Sequence, residues 1–235
     1  MKIVNILVLM MVLCAPVLGQ ETIDELNSKG IDLIEQGQNE EAEAMFDEAI
    51  EINPKDAAAW NGKGSALFYM GKYDEALDAF DIAIEINPQG EEAWNNKGNV
   101  LCKQGKYNEA IVFYDKSIEI DSQNTDAWFN KGTVLYYQGK YDEAIEAYDR
   151  AIEIDPQCKD AWHNKGVALS DMGKYSEAIA AFNKTIEINP EDAYAWYNKA
   201  EALRLLHRND EAKEAYAKAR ELGYDGIKTR LEWTA

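Results

Sequence analysis

Between residues 57 and 86 the apolar and small side chains recur with helical rather than alternating spacing. Trp60, Gly64, Leu67 and Phe68 form one set, and Ala76, Leu77, Phe80, Ala83 and Ile84 a second, with intervals of 3, 4, 7 and 8. Those intervals place each set on one face of an amphipathic helix. The segment MGKYDE separates the two helices. Gly71 suits a helix C-terminus there, and Asp74 and Glu75 fall in the next helix's first turn, where carboxylates complement the dipole. The pattern then returns: Trp60, Trp94, Trp128, Trp162 and Trp196 lie 34 residues apart, as do Ala76, Ala110, Ala144, Ala178 and Ala212. Leu26, Gly30, Ala42, Phe46 and Pro54 fall on the same period, so a degenerate copy precedes five clear ones. Pro54, Pro88, Pro156 and Pro190 close the second helix of their copies, because the residue before proline resists the helical conformation; Ser122 stands there in the third copy, a weaker stop.

One such hairpin cannot bury its own apolar face, so the copies are expected to stack on their neighbours. Gly64 and Ala76, Gly98 and Ala110, Gly132 and Ala144, and Gly166 and Ala178 repeat a step of twelve residues. Small side chains at both places let the two helices of a hairpin approach closely. The tryptophans, with Phe80, Tyr114, Tyr148 and Phe182, are expected to fill the seams between hairpins as core.

The motif W-x3-G-x2-L, followed by A-x3-F/Y and then A and P on a 34-residue period, resembles the tetratricopeptide repeat over residues 23 to 226. That resemblance implies an all-α solenoid of six helix-turn-helix repeats, 23–56, 57–90, 91–124, 125–158, 159–192 and 193–226, wound as a right-handed superhelix. It also implies a non-catalytic protein-interaction role, with a concave face lined by the second, fifth, sixth, ninth, twelfth and thirteenth positions of each first helix. The chain departs from the family pattern at Lys63, Lys97, Lys131, Lys165 and Lys199, where leucine is usual before the glycine. Pairing with Glu85, Glu119, Glu153 and Glu187, the stems lying on apolar surface, is one reading; a cationic binding stripe is the other. The last copy replaces its glycines with Ala200 and His207, as suits a repeat at an end.

At the implied sixth position stand Asn96, Asn130, Asn164 and Asn198. Each side chain offers an acceptor and two donors, so a row of them can hold the backbone of an extended peptide without regard to its sequence. Recent duplication of the repeats would produce the same row. Around it lie Phe68, Tyr69, Phe129, Tyr136, Tyr137, His163, Tyr194 and Tyr197, expected as exposed anchors for apolar or aromatic side chains. Asp24, Glu35, Glu92, Asp126, Asp160, Asp171 and Glu201 share that face against Lys103 and Arg204, so a neutral or basic peptide segment is the expected partner.

The whole chain of 235 residues carries 43 acidic and 24 basic side chains, a formal charge of -19. That balance argues against nucleic acid, whose phosphates need a basic patch. The sequence offers no catalytic constellation, no glycine-rich phosphate loop and no small-molecule or cofactor site. Cys158, Asp160 and His163 lie close in sequence but lack a fourth ligand, so no metal is expected.

Residues 1 to 19 read as a secretory signal, with Lys2, an apolar run from Ile6 to Leu13, and a cut after Gly19. An uncleaved anchor is the alternative, although the run is shorter than the roughly 20 residues a span needs. Either way the protein is expected to be secreted or extracytoplasmic, touching a membrane only through that segment. Cys102 and Cys158 sit at different registers and are read as unpaired. Asn183-Lys184-Thr185 is a glycosylation sequon by pattern alone. The stretch 227 to 235, with Trp233, is expected to cap the last hairpin or to dock on another molecule. A second functional reading follows from that: a structural or self-associating scaffold using its ends or convex face.

Overall fold

The computed structural model describes residues 22–224; the leader segment, Cys14 and the stretch 227 to 235 lie outside them. Among the described residues twelve helices form six antiparallel hairpins. They are α1 Ile23–Glu35, α2 Asn39–Ile52, α3 Ala57–Tyr69, α4 Tyr73–Ile86, α5 Glu91–Lys103, α6 Tyr107–Ile120, α7 Thr125–Tyr137, α8 Tyr141–Ile154, α9 Lys159–Asp171, α10 Tyr175–Ile188, α11 Ala193–Leu205 and α12 Asn209–Glu221. None of them is long and apolar enough to cross a membrane.

Backbone hydrogen bonds end the first helices in one way throughout. Gly71 N–H donates to the Phe68 carbonyl and Lys72 N–H to the Leu67 carbonyl, both at 2.9 Å, which is the Schellman arrangement. It needs a left-handed residue, and Gly37, Gly71, Gly105, Gly139 and Gly173 supply it at φ near +75°; His207 takes the same conformation at φ 59°. The second helices end differently. Asn53, Asn87, Asp121, Asp155 and Asn189 each cap with extended backbone and accept, through Oδ1, the N–H two residues on. This turn, rather than proline, carries the stop, so α6 ends at the same register although Ser122 replaces proline.

The tryptophans are half-buried rather than core. Each indole N–H donates across six residues to a loop carbonyl, Trp128 to Ser122 at 3.2 Å and Trp162 to Pro156 at 3.2 Å, tying the loop to the helix that follows. The fully buried aromatics are Phe46, Phe80, Tyr114, Tyr148 and Phe182. They explain the glycines. A Cβ on Gly30, Gly64, Gly98, Gly132 or Gly166 would lie 2.5 to 2.8 Å from the aromatic ring sixteen residues on, and at Gly132 also 3.2 Å from the Ala144 carbonyl. At Gly62, which stands where later copies have asparagine, a Cβ would meet Phe46 at 2.2 Å.

Repeats are joined by the lysines, though not to the glutamates expected. Lys63 pairs with Asp47 at 2.6 Å and Lys131 with Asp115 at 2.7 Å; Lys97 and Lys165 pair with Asp81 and Asp149. Each partner lies on the second helix of the preceding repeat, while the lysine stands over an aromatic ring, Trp128 in the case of Lys131. Glu119, Glu153 and Glu187 instead pair within their own helices with Lys116, Arg150 and Lys184. At the last junction Asn183 replaces the aspartate, and Lys199 rests over Trp196 without a carboxylate of this kind. Thr185 of the sequon is fully buried, its hydroxyl donating to the Ala181 carbonyl.

Curvature follows from which helices touch. Each first helix contacts the first helix of the next repeat, whereas among the described residues no two second helices approach within 8 Å between Cα atoms. The first helices therefore form the inner layer and the second helices splay outside. Among the described residues, the stacking registers turn polar in the first and last repeats. Ala66, Val100, Val134, Ala168 and Ala202 are buried against the preceding repeat, but the equivalent residue in α1 is the exposed Asp32. In α12, Asn209 and Lys213 stand where internal second helices have tyrosine and leucine or isoleucine.

Candidate functional site

The inner layer carries the candidate groove, and the asparagine row on it is a ladder rather than a set of free side chains. Asn96 Nδ2 donates to Asn61 Oδ1 at 3.1 Å, and Asn130 Nδ2 donates to both Asn95 Oδ1 and Asn99 Oδ1 at 3.1 Å. Asn198 Nδ2 stands 3.2 Å from His163 Nε2. Each rung joins the sixth position of one first helix to the fifth of the preceding one. Asn164 departs from this: it is buried, and the residue 35 positions before it is Phe129, which offers no acceptor for a rung. The ladder runs on into the core, because Asn99 Oδ1 also accepts from the buried Tyr114 hydroxyl at 2.9 Å.

Two consequences follow for ligand chemistry. Asn130 makes two donor bonds between repeats and Asn96 one, so these side chains present both Oδ1 acceptors and a single remaining N–H on Asn96. The fifth-position residues Asn61 and Asn95, and Asn99 at the ninth, belong to the same network. The sequence reading passed over them because it followed one register at a time; the recurring separation of 35 residues between rung partners was the available signal.

The aromatic set divides. Tyr69, Tyr137 and Tyr194 are exposed, at 48%, 40% and 40% of their surface. The others are packed against neighbouring side chains, and the expectation of exposure is corrected for them. Tyr136 is buried in the core, with its hydroxyl donating to Asp171 Oδ2 of the next repeat at 2.7 Å. Phe68 packs beside the Leu67 cluster, and Phe129 lies against Tyr148. His163 meets Phe182 edge-on. Tyr197 stacks on Tyr224 with centroids 4.1 Å apart. The physical reason is the same throughout: neighbouring first helices pack closely enough that fifth- and twelfth-position side chains fill the seam between them.

Electrostatically the face is acidic in patches. Glu92, Asp126 and Asp160 repeat at the second position of three successive first helices and are exposed, Asp160 beside Lys159 at 3.1 Å. Asp171 is engaged by Tyr136, and Glu201 by Arg204 and Tyr216. Burial holds the His163 imidazole below its ordinary range, against the opposing pull of Asp192 and Asp160. The ring is therefore neutral and fit to accept the Asn198 amide proton. Cys102 and Cys158 are both free, and burial pushes the Cys102 thiol up to about 11. Among the described residues no three His, Cys, Asp or Glu side chains gather as a metal site.

Family models described as tetratricopeptide repeat match residues 27–91, 91–124, 125–158, 160–192 and 181–214. The chain belongs to the tetratricopeptide repeat family. No curated protein matches it. Solved structures of other tetratricopeptide repeat proteins are similar. YrrB, a protein "with an unusual peptide-binding site", is 27% identical at a TM-score of 0.64, the match covering 77% of this chain and 94% of YrrB. MamA is 26% identical at a TM-score of 0.65, over 71% of this chain and 97% of MamA. The pilF protein of Pseudomonas aeruginosa shares the fold at a TM-score of 0.77 and 16% identity, over 86% of this chain and 92% of its own. The repeat family is one of protein-interaction modules, and the inner layer described above is the surface on which this chain's candidate residues converge.

Proposed function

We propose that this protein holds an extended, neutral or basic segment of a partner protein against its inner layer of first helices. The observation that carries the reading is the ladder itself. It fixes Asn96 and Asn130 in place and leaves their carbonyl oxygens as acceptors for the backbone N–H groups of an extended chain. Exposed Tyr69, Tyr137 and Tyr194 supply aromatic surface beside it, and Glu92, Asp126 and Asp160 favour cationic over anionic side chains. The similarity to YrrB, described as having a peptide-binding site, supports the same reading.

The polar ends, Asp32 at one and Asn209 and Lys213 at the other, weigh against the scaffold alternative in which copies stack end to end. We place the protein outside the cytoplasm, on the strength of the leader-like residues 1 to 19.

The test is affinity capture of extracytoplasmic proteins on the immobilised chain, beside an Asp126→Lys, Tyr137→Ala variant and an outer-layer control, Glu146→Lys. Proteins held by the parent and the control but lost from the inner-layer variant are expected. Equal capture by all three would remove the inner layer as the binding surface.

A further inference from the structure

The last rung of the ladder differs from the others in kind. Asn96 reaches Asn61 and Asn130 reaches Asn95, amide to amide, whereas Asn198 Nδ2 lies 3.2 Å from Nε2 of His163. An amide keeps its charge at every ordinary pH, but an imidazole does not, and its protonation changes what each ring nitrogen does in a hydrogen bond. Neutral, with its proton on Nδ1, the ring accepts at Nε2 from the Asn198 amide. Protonated, both ring nitrogens are donors, and Nε2–H would be set against the Asn198 N–H. We propose that proton uptake by His163 turns the Asn198 amide over, so that the rung between repeats five and six reverses its polarity and this end of the groove exchanges an acceptor for a donor. The proposal rests on the reading of the inner layer as peptide-binding and names a regulation of it. At neutral pH Asn198 offers Oδ1 to a backbone N–H of the bound segment; in acid it offers N–H to a carbonyl or carboxylate.

The geometry makes the reversal small. A half-turn of the amide exchanges Oδ1 and Nδ2, groups of nearly the same size, so the seam needs no repacking. One proton passes from water to the Nε2 lone pair, and no covalent bond in the chain breaks. The ring is half-buried, open enough to exchange protons with solvent. Phe182 of α10 meets it edge-on at 5.7 Å, Lys159 and Asp160 stand on the first turn of its own helix, and Asp192 caps the N-terminus of α11. The two carboxylates favour the imidazolium; burial and Lys159 oppose it, and burial is the larger effect, so the reversal belongs to mildly acid solution. There the new positive charge beside Asp160 and Asp192 also weakens the hold on a cationic side chain. Asn61 and Asn95 do not titrate, so the rungs of repeats two to four keep their polarity. Acid thus alters one end of the groove and spares its middle.

The test is nitrogen-15 NMR of the full chain without a partner, between about pH 8 and pH 5. At the upper end His163 should show the Nδ1–H tautomer. Through its titration, below 6.5, the Asn198 side-chain amide resonances should shift with the same midpoint while those of Asn130 stay in place. A His163→Asn chain should lose the pH dependence at Asn198. An Nε2–H tautomer at the upper end, an Asn198 amide indifferent to the ring, or an Asn198 shift that survives in His163→Asn would each overturn the proposal. So would loss of helical circular dichroism in step with the titration, because the seam would then open instead of reversing. No partner enters this experiment, so its failure leaves the capture result at neutral pH untouched, and failure of that capture leaves the rung chemistry readable.

Discussion

Replacing Gly132 with alanine sets two effects of opposite sign against each other. Alanine in the middle of α7 gains about 1 kcal/mol over glycine in helix propensity. Its Cβ, however, would lie 2.8 Å from two ring atoms of Tyr148 and 3.2 Å from the Ala144 carbonyl oxygen. Tyr148 is fully buried and cannot swing into solvent, and the carbonyl is backbone, so the two helices of the hairpin must separate. Overpacking of this kind costs roughly 1–3 kcal/mol, and occasionally more. Here the backbone contact puts it at the upper end, leaving a net loss of about 1–2 kcal/mol. Thermal unfolding followed by circular dichroism should show a midpoint lower by roughly 2–8 °C. In a Tyr148→Leu background the ring contacts are gone and only the Ala144 carbonyl contact remains, so the same glycine change should cost less than in the parent. A Gly132→Ala chain as stable as its parent would refute the packing argument and leave helix propensity as the dominant effect.

Three further outcomes are expected. His207→Gly relieves a left-handed non-glycine residue at the end of α11 and should stabilise the chain by roughly 1 kcal/mol in urea unfolding; a loss of stability would contradict the strain reading. Asn183→Asp gives Lys199 the carboxylate its counterparts have, for a gain of up to about 1 kcal/mol in the same assay; no gain, or a loss, would count against the inter-repeat role of the lysines. His163 titrates below its ordinary 6.5 in the folded chain, so the unfolded chain binds more protons in that window and stability should fall as pH drops through 6.5, levelling off below the folded value. His163→Asn copies the rung formed by Asn61 and Asn95 and should flatten this dependence, measured as unfolding midpoint against pH; an unchanged slope would place the acid sensitivity elsewhere.

The helices and their pairing were legible in the sequence because Trp, Gly and Ala recur at fixed registers, and local chemistry such as Gly71 marks the helix ends without reference to neighbours. What lies between repeats was less legible. The lysines were matched with Glu85, Glu119, Glu153 and Glu187, whereas Asp47, Asp81, Asp115 and Asp149 lie sixteen residues earlier on the preceding second helix. Only the stacking geometry selects that partner. Tyr136 reads as an exposed groove residue by position, and it is the closeness of α9 that buries it and supplies Asp171. The asparagine row was visible as a row. That its donors face sideways into the fifth position was not, because one helix's pattern carries no information about the orientation of side chains across a seam.

Carboxylate footprinting tests the central claim most directly: the captured partner is bound, exposed acids are labelled with a carbodiimide and amine, and modification is read residue by residue. The inner-layer reading expects Glu92, Asp126 and Asp160 to lose labelling on partner binding, while Glu109, Glu146 and Glu177 on the outer helices keep theirs. Protection of the outer glutamates, with the inner acids still labelled, would contradict it.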